Sequence, residues 1–248
     1  MHLLVFGSSD SDGSNLPDRS LAWPVLLKER AASECGTDLE LSFCRLYVHA
    51  EGWEDRFEQA IASAEPDIIV VCVNGVSWSF RTVPIRLRKW FGRGAGGWAE
   101  RQQRRMDEHA RSHRVAEKVA SGVHWIVRHT VPPGTFLSRS VAEARWLKII
   151  DRVAREEAFA VVVGKTDQHG DLLKTWPKVN DEIASHNRAL HRRVNERRLT
   201  WFESQSIIDE LGRDAAHIGD LIHRREPFHV MMADRLLEII RPALATRA

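Results

Sequence analysis

Residues 67–75 read Asp-Ile-Ile-Val-Val-Cys-Val-Asn-Gly, and the rest of the architecture can be worked out from this run. The side chains from Ile68 to Val73 are apolar at consecutive positions, without the polar alternation of a half-exposed strand. Such a run is typical of a strand in a parallel sheet that helices cover on both faces. Asn74 and Gly75 then end it with residues that favour turns.

Similar short runs rich in branched apolar residues recur along the chain, and longer stretches with helical spacing separate them. We predict strands at residues 2–6, 39–47, 67–73, 158–163 and 199–202. We predict helices at residues 21–32, 54–64, 138–157, 181–197 and 228–240. Strands that alternate with helices indicate a doubly wound α/β fold. The expected architecture is a three-layer α/β/α sandwich with a five-stranded parallel sheet, of the flavodoxin-like type.

The composition bounds the class of protein. The chain has 248 residues, of which 43% are hydrophobic and 28% charged, which suits one globular domain over residues 1–248. Three cysteines, at poorly matched spacings, do not fit a disulfide framework or a zinc site. No apolar run approaches the ~20 residues that cross a bilayer, and Met1 leads directly into a strand rather than a signal peptide. We therefore expect a cytoplasmic protein.

A basic segment interrupts the alternation of strands and helices. Residues 81–145 hold 14 Lys plus Arg against 5 Asp plus Glu, although the whole chain holds 36 against 34. We predict a helical, Trp-containing insertion over residues 81–133 within the single domain. Three roles stay open for it: an ordinary charged helix pair, a lid over the site, or a surface for an anionic substrate or membrane. Nucleic acid is disfavoured, because no recognised binding module is present.

Polar residues directly after the predicted strands are the best site candidates. Ligands of open parallel sheets bind beyond the carboxyl ends of the strands, near the point where the strand order reverses. Ser9 follows the first strand, Gly52 the second and Asn74 the third. A fourth polar group, Asp220 to His223, comes just before the last helix.

These four groups resemble the sequence blocks of the SGNH (GDSL-type) hydrolase superfamily. Val5 to Ser9 resemble the first block, Gly52 the glycine of the second, and Cys72 to Asn74 the third. Asp220 to His223 resemble the last block, an Asp-x-x-His before the final helix. The resemblance implies the SGNH-hydrolase form of the flavodoxin-like fold. It also implies that Ser9 is the nucleophile and that Asn74 donates to the oxyanion.

The chain departs from the family pattern at four positions. Ser8 stands where the family has Asp, Asp10 where it has a hydrophobic residue, Cys72 where it has Gly, and Gly75 where it has Asp. The proposed catalytic groups are all retained, but the departures leave substrate preference open and allow an inactive relative. We expect Ser8, Asp10, Arg81 and Trp90 to contribute to substrate binding.

The chemistry also follows from the residue types. A serine hydroxyl needs an imidazole to accept its proton, and the imidazole needs an acceptor that fixes its tautomer. Asp220 and His223 supply both, because a spacing of three residues lets their side chains point the same way on a turn. Candidate donors to the oxyanion are the backbone N–H groups of Ser9 and Gly52 and the side-chain amide of Asn74.

Each of these features has a simpler alternative. Ser9 and Asn74 can be turn or cap residues, Gly52 a turn glycine, and Asp220 with His223 a surface pair. A second Asp-x-x-His, at Asp214 to His217, competes for the role of acid and base.

Three other chemical roles are disfavoured. The loop at residues 7–13 lacks the Gly-Lys-Ser/Thr of a phosphate-binding loop. Asp10 and Asp12 resemble the start of a calcium loop, but no glutamate closes it. His229 is expected to close the site entrance or to cap a helix locally rather than to act as the base. We expect no metal and no cofactor.

The favoured function is a serine-dependent acyl-ester hydrolase, either an esterase or a carbohydrate deacetylase. An acyltransferase that moves the acyl group to a sugar or lipid alcohol is the near alternative, since both share an acyl-enzyme. A binding or scaffold protein with a dead site and a basic insertion is the alternative from another class. The expected partner is a small ester or an acylated carbohydrate or lipid.

Overall fold

The computed structural model describes residues 1–14, 16–79, 86, 90, 94, 134–169, 173, 176–217 and 223–246. Its strands are β1 (His2–Gly7), β2 (Glu40–Arg45), β3 (Ile68–Cys72), β4 (Phe159–Val163) and β5 (Thr200–Phe202). Its α-helices are α1 (Trp23–Cys35), α2 (Trp53–Ala64), α3 (Arg139–Val153), α4 (Val179–Glu196), α5 (Gln205–Leu211), α6 (Arg213–Ala216) and α7 (Glu226–Ala245). A 3-10 turn, Arg19–Leu21, precedes α1.

The five strands form one parallel sheet in the order β2-β1-β3-β4-β5. This is the flavodoxin-like order, in which the chain reverses direction across the sheet between β1 and β3. The predicted fold class is confirmed, and the predicted strands agree with the observed ones to within about two residues. The loops that follow β1 and β3 lie on either side of the reversal, where a ligand site is expected.

Consecutive side chains of the central strands enter opposite cores. Leu3 and Val5 of β1 belong to an apolar cluster with α1 and α7, which includes Trp23 and Leu236. Phe6 faces the other way and packs on Phe57 of α2, with ring centroids 4.7 Å apart. Because both faces are covered, the strands read as continuous apolar runs rather than alternating ones.

Ion pairs link α2 and α3, two helices on the face of the sheet that Phe57 covers. Lys148 of α3 lies 2.5 Å from the carboxylate of Glu54 on α2, and Arg152 lies 2.9 Å from Glu58. The pairs are largely exposed, so they fix the register of the two helices more than they stabilise the fold. The free energy of the layer comes from buried residues such as Trp146, which is completely buried.

Two short helices were absent from the sequence prediction. Helices α5 and α6 lie between β5 and α7. They contribute Ile207, Ile208 and Ala216 to the apolar cluster that β1 forms with α1 and α7. Each is too short for apolar periodicity to be recognised reliably. The predicted last helix is longer than expected, since it begins at Glu226 with Pro227 in its first turn and ends at Ala245.

The chain divides into two compact units, residues 1–75 with 139–248, and residues 76–138. The predicted insertion at 81–133 falls within the second unit, and except for Arg86, Trp90 and Gly94 it lies outside the described residues. Within this unit the N–H of Leu137 donates to the carbonyl of Ser77 at 2.9 Å. The Arg86 guanidinium lies over the Trp90 ring, 5.4 Å from its centroid.

Among the helices of the described residues, none has the length and apolar content needed to span a bilayer.

Candidate active site

Ser9 lies in a tight turn directly after β1. The carbonyl of Ser8 accepts the N–H groups of Ser11 at 2.9 Å and of Asp12 at 3.2 Å, which reverses the chain around Ser9. Ser8 and Ser11 are buried, whereas Ser9 is partly exposed. The turn therefore leaves Ser9 as the accessible serine among the three.

Gly7 makes this turn possible. A Cβ on Gly7 would lie 2.5 Å from the Cβ of Ser11 and 3.1 Å from the Phe43 ring. No real Cβ sits so close to another carbon, so only glycine lets the turn fold back onto β1. The glycine therefore sets where Ser9 is placed relative to the end of the strand.

Arg45, the last residue of β2, stabilises the residues that follow the turn through hydrogen bonds. Its Nε donates to Asp12 Oδ2 at 2.5 Å, and its Nη2 donates to Ser14 Oγ at 2.5 Å. Burial raises the pKa of Asp12, but the hydrogen bonds from Ser14 and Arg45 outweigh it and hold that pKa below its usual range. The Asp12 carboxylate thus holds the loop together through its hydrogen bonds with Ser14 and Arg45.

In the part of the chain that the structure describes, no cluster of three or more potential metal ligands occurs.

Hydrogen bonds join the loops after β1, β2 and β3. The N–H of Leu46 donates to the carbonyl of Gly7 at 2.9 Å. Asn74 Nδ2 donates to the carbonyl of Leu46 at 2.7 Å, and the Asn74 side chain is buried. The chain of bonds from Gly7 through Leu46 to Asn74 brings the segments of Ser9 and Asn74 together at the carboxyl ends of the strands, which we call the carboxyl edge.

Gly52 lies at the same edge, where it precedes the first residue of α2. Its φ of 67° is in the left-handed region, which a residue with a side chain adopts only at a cost. The amino end of α2 carries N–H groups without intrahelical partners and the positive end of the helix dipole. This end of the helix therefore suits a site that stabilises negative charge.

Cys72, the last residue of β3, does not compete with Ser9 as a nucleophile. Burial raises the pKa of its thiol to about 12, although a hydrogen bond with Ser11 acts in the opposite direction. Because the thiolate is the reactive form, Cys72 stays inert at neutral pH.

A buried cationic group reaches the carboxyl edge from the loop after β4. Lys165 is 7% exposed, and its Nζ donates to the carbonyl of Thr166 at 3.0 Å. Burial, assisted by the charge of Arg224, lowers the Lys165 pKa to about 7, while Asp10 acts in the opposite direction. The charge interaction with Asp10 indicates that this lysine lies in the neighbourhood of the serine turn.

Arg224 joins the segment of His223 to the same loop. Its Nη2 donates to Thr166 Oγ1, and its side chain is 8% exposed. Lys165 interacts with the neighbour of Ser9, and Thr166 bonds the neighbour of His223. The serine turn and the segment of His223 therefore both lie at the carboxyl edge.

Not every predicted site residue falls in the described part of the chain. Asp220 and Arg81 lie outside the described residues. Trp90 belongs to the unit of residues 76–138 and is 52% exposed. Substrate binding by Ser8, Asp10, Arg81 and Trp90 therefore stays a prediction.

Two other histidines near the carboxyl edge have structural contacts. His229 Nδ1 accepts the N–H of Trp23, the first residue of α1, at 3.2 Å, which is the local capping considered from the sequence. Burial lowers the pKa of His229 to about 4, so the ring is a neutral acceptor. His217 is buried, and its Nδ1 lies 3.0 Å from the carbonyl of Arg213.

The carboxylate of the competing Asp-x-x-His lies at the surface. Asp214 pairs with Arg213 at 2.9 Å, and its side chain is 82% exposed. The hydrogen bond from Arg213 is the largest cause of the lowered pKa of Asp214, so this carboxylate is engaged mainly by Arg213 and to a smaller extent by His217. The pair Asp220 and His223 is therefore the better candidate.

No family model and no curated protein matches the chain. Solved structures do match it over nearly its full length. TesA has a TM-score of 0.60 at 13% identity, covering 98% of this chain and 99% of its own. The acetylxylan esterase Axe2 from Geobacillus stearothermophilus has a TM-score of 0.59 at 11% identity, covering 96% and 93%. A putative GDSL-like lipase from Parabacteroides merdae has a TM-score of 0.56 at 10% identity, covering 96% and 94%.

The chain has the SGNH (GDSL-type) hydrolase fold. The resemblance found in the sequence blocks is thus confirmed at the level of fold. The departures from the SGNH blocks are accommodated locally, since Ser8 is buried beneath the turn and Cys72 is paired with Ser11.

Sequence reasoning missed Lys165, Thr166 and Arg224 at the carboxyl edge of this SGNH fold. The signal was present, because Gly164 to Thr166 directly follow the fourth strand just as Ser9 and Asn74 follow the first and third. The same rule, applied to every strand, would have selected Lys165 and Thr166.

Proposed function

We propose that this protein is a serine-dependent acyl-ester hydrolase, an esterase or carbohydrate deacetylase. The single observation that carries the proposal is the pair of hydrogen bonds Leu46 N to Gly7 O and Asn74 Nδ2 to Leu46 O. These bonds hold the segments of a nucleophile and of an oxyanion donor side by side. The esterases among the structural neighbours, such as Axe2, support an ester as substrate.

The proposed reaction uses an acyl-enzyme. Ser9 Oγ attacks the ester carbonyl while His223 accepts its proton, and the C–O bond to the alcohol then breaks as His223 returns that proton to the leaving oxygen. Water, activated by His223, attacks the acyl carbon and releases the acid and free Ser9. Asp220 orients the imidazole and stabilises its protonated form.

The developing oxyanion receives hydrogen bonds from groups placed in advance. We propose the backbone N–H groups of Ser9 and Gly52 and the second N–H of Asn74 Nδ2 as donors. Leu46 accepts only one of the two amide hydrogens of Asn74, and this bond fixes the orientation of the amide before the substrate binds. Such preorganisation is the usual origin of a large rate effect.

A serine-directed fluorophosphonate tests the function directly. We expect one equivalent to bind the full-length protein, with the adduct on Ser9 in peptide mass spectrometry, and p-nitrophenyl acetate to be turned over by the unlabelled protein. Absence of both labelling and turnover over a broad ester panel would favour the scaffold alternative. A faster reaction when an alcohol acceptor is added would favour the acyltransferase.

Replacing Asn74 with alanine should lower kcat by ~100- to 1000-fold with little change in KM, because one oxyanion donor is lost. Asn180→Ala is the matched control, since its side chain also bonds a backbone segment, with Nδ2 donating to Gln168 O at 3.1 Å. Both variants lose a structural amide, so both should melt at lower temperature in circular dichroism. An equal fall of kcat in the two variants would contradict the oxyanion role of Asn74.

A further inference from the structure

The loop after β4, which begins at the carboxyl edge, is held by hydrogen bonds from two other segments of the chain. The N–H of Lys165 donates to Asn187 Oδ1 at 3.2 Å, and Asn187 Nδ2 donates back to the Lys165 carbonyl at 2.7 Å. Ser204 Oγ donates to the carbonyl of Gly164 at 2.9 Å. Because α4 and the start of α5 both hold its backbone, this loop is a rigid base for whatever binds to it.

Arg224 binds that rigid loop and is itself enclosed. Its Nη2 donates to Thr166 Oγ1, and its guanidinium lies over the Phe228 ring at 5.0 Å from the centroid. Its backbone pairs with His217 in an antiparallel bridge, and Arg225 Nε donates to the His217 carbonyl at 2.5 Å. These contacts join Arg224 and Arg225, which directly follow His223, to His217.

Burying a guanidinium only to shape a loop is costly. Removing a charged group from water costs several kcal/mol unless its hydrogen bonds are replaced, and an apolar side chain often serves structure equally well. A planar, multidentate donor is favoured where a defined geometry is needed. The place of Arg224, next to the proposed base, supplies a reason for such geometry.

The loop after β4 also carries a side chain whose charge interacts with the serine turn. The side chain of Lys165 interacts electrostatically with Asp10, the neighbour of Ser9 in the serine turn. Residues 165 and 166 thus interact with the neighbours of both proposed catalytic groups, Lys165 with Asp10 through charge and Thr166 with Arg224 through a hydrogen bond. A shift of this loop would change the separation between Ser9 and His223.

We propose that Arg224 is a positioning residue, and that its hydrogen bond to Thr166 holds His223 in register with Ser9. This inference rests on the proposed esterase function. Neither side chain touches the reacting atoms; both act through the position of the imidazole. The expected signature is a loss in kcat with KM unchanged, since ester binding does not depend on the imidazole.

Substitutions at Thr166 test this with little change in packing. Thr166→Val keeps the β-branched shape but removes the hydroxyl that accepts from Arg224, whereas Thr166→Ser keeps the hydroxyl. Because displacing a catalytic group by about 1 Å costs up to ~100-fold, we expect Thr166→Val and Arg224→Met each to lower kcat by ~10- to 50-fold. Thr166→Ser should restore most of the rate.

Two further measurements separate positioning from general stability. The double variant Thr166→Val/Arg224→Met should be no slower than Arg224→Met alone, because the two residues act through one contact. Thr37→Val, whose hydroxyl donates to Cys35 O at 3.4 Å beyond the end of α1, is the control for loss of a threonine hydroxyl and should keep the wild-type kcat.

The outcomes distinguish this inference from the function on which it rests. If the wild type neither turns over esters nor labels at Ser9, the proposed function fails and the positioning role fails with it. If the wild type is active through Ser9 but Thr166→Val keeps the wild-type kcat, or Thr166→Ser falls as far as Thr166→Val, only the positioning role is overturned. Should Arg224→Met fail to fold, the comparison of Val with Ser at residue 166 decides alone.

Discussion

Replacing Ser9 with alanine is expected to lower kcat for p-nitrophenyl acetate by about a million-fold, the loss seen when a serine nucleophile is removed from a working triad. The variant keeps the turn, because the bonds that form it run between the backbone of Ser8 and those of Ser11 and Asp12. The melting temperature should therefore stay close to that of the wild type. Stopped-flow release of p-nitrophenol, followed with the labelling assay, measures both the burst and the steady state.

Ser33→Ala provides the matched control for the loss of Ser9. Ser33 is an exposed serine on α1 whose hydroxyl donates to Arg30 O at 3.3 Å, remote from the carboxyl edge. Its replacement should change neither turnover nor labelling. Fluorophosphonate labelling that persists in Ser9→Ala would place the nucleophile elsewhere and end the triad proposal.

The architecture was predictable because its causes are local in sequence. A run such as Ile68 to Val71 is fully buried on both faces, and this burial is what makes the run apolar at every position. The order of runs and helices then leaves few topologies for a parallel sheet. The loops that follow β1 and β3 could be selected as the candidate site on the same ground.

The contacts that complete the site were not predictable, because they join residues far apart in sequence. Arg224 and Thr166 are separated by 58 positions, and neither residue type signals its partner. Lys165 is similar, since a lysine in a sequence is usually exposed and this one is 7% exposed. Only the fold, which brings Arg224 and Asn187 to the residues after β4, reveals what these side chains contact.

The two Asp-x-x-His motifs also show that spacing in sequence does not predict which groups a side chain contacts. In sequence each places a carboxylate three positions before an imidazole, and only the second leads straight into the last predicted helix. In the structure Asp214 is exposed and paired with Arg213, and His217 is buried against the Arg213 carbonyl. In this first motif a competing cation engages the carboxylate, and spacing alone does not reveal that contact.

Replacing His223 with alanine is therefore expected to lower kcat by about a million-fold, because loss of the base alone costs as much as loss of the whole triad. Without the imidazole, Ser9 keeps its proton at neutral pH, so the rate of fluorophosphonate labelling should fall in parallel with turnover. Binding of the ester does not need the base, and KM should change little. Measuring kcat and the labelling rate on the same preparations checks both expectations.

His217→Gln is the control that discriminates between the motifs. Glutamine retains an N–H that can donate to the Arg213 carbonyl, which His217 Nδ1 approaches at 3.0 Å, so the local contact of residue 217 is kept. We expect this variant to lose some thermal stability but to label at Ser9 and to turn over esters at a rate far above that of His223→Ala. If the two variants exchange these phenotypes, His217 is the base and the assignment of that role to His223 is wrong.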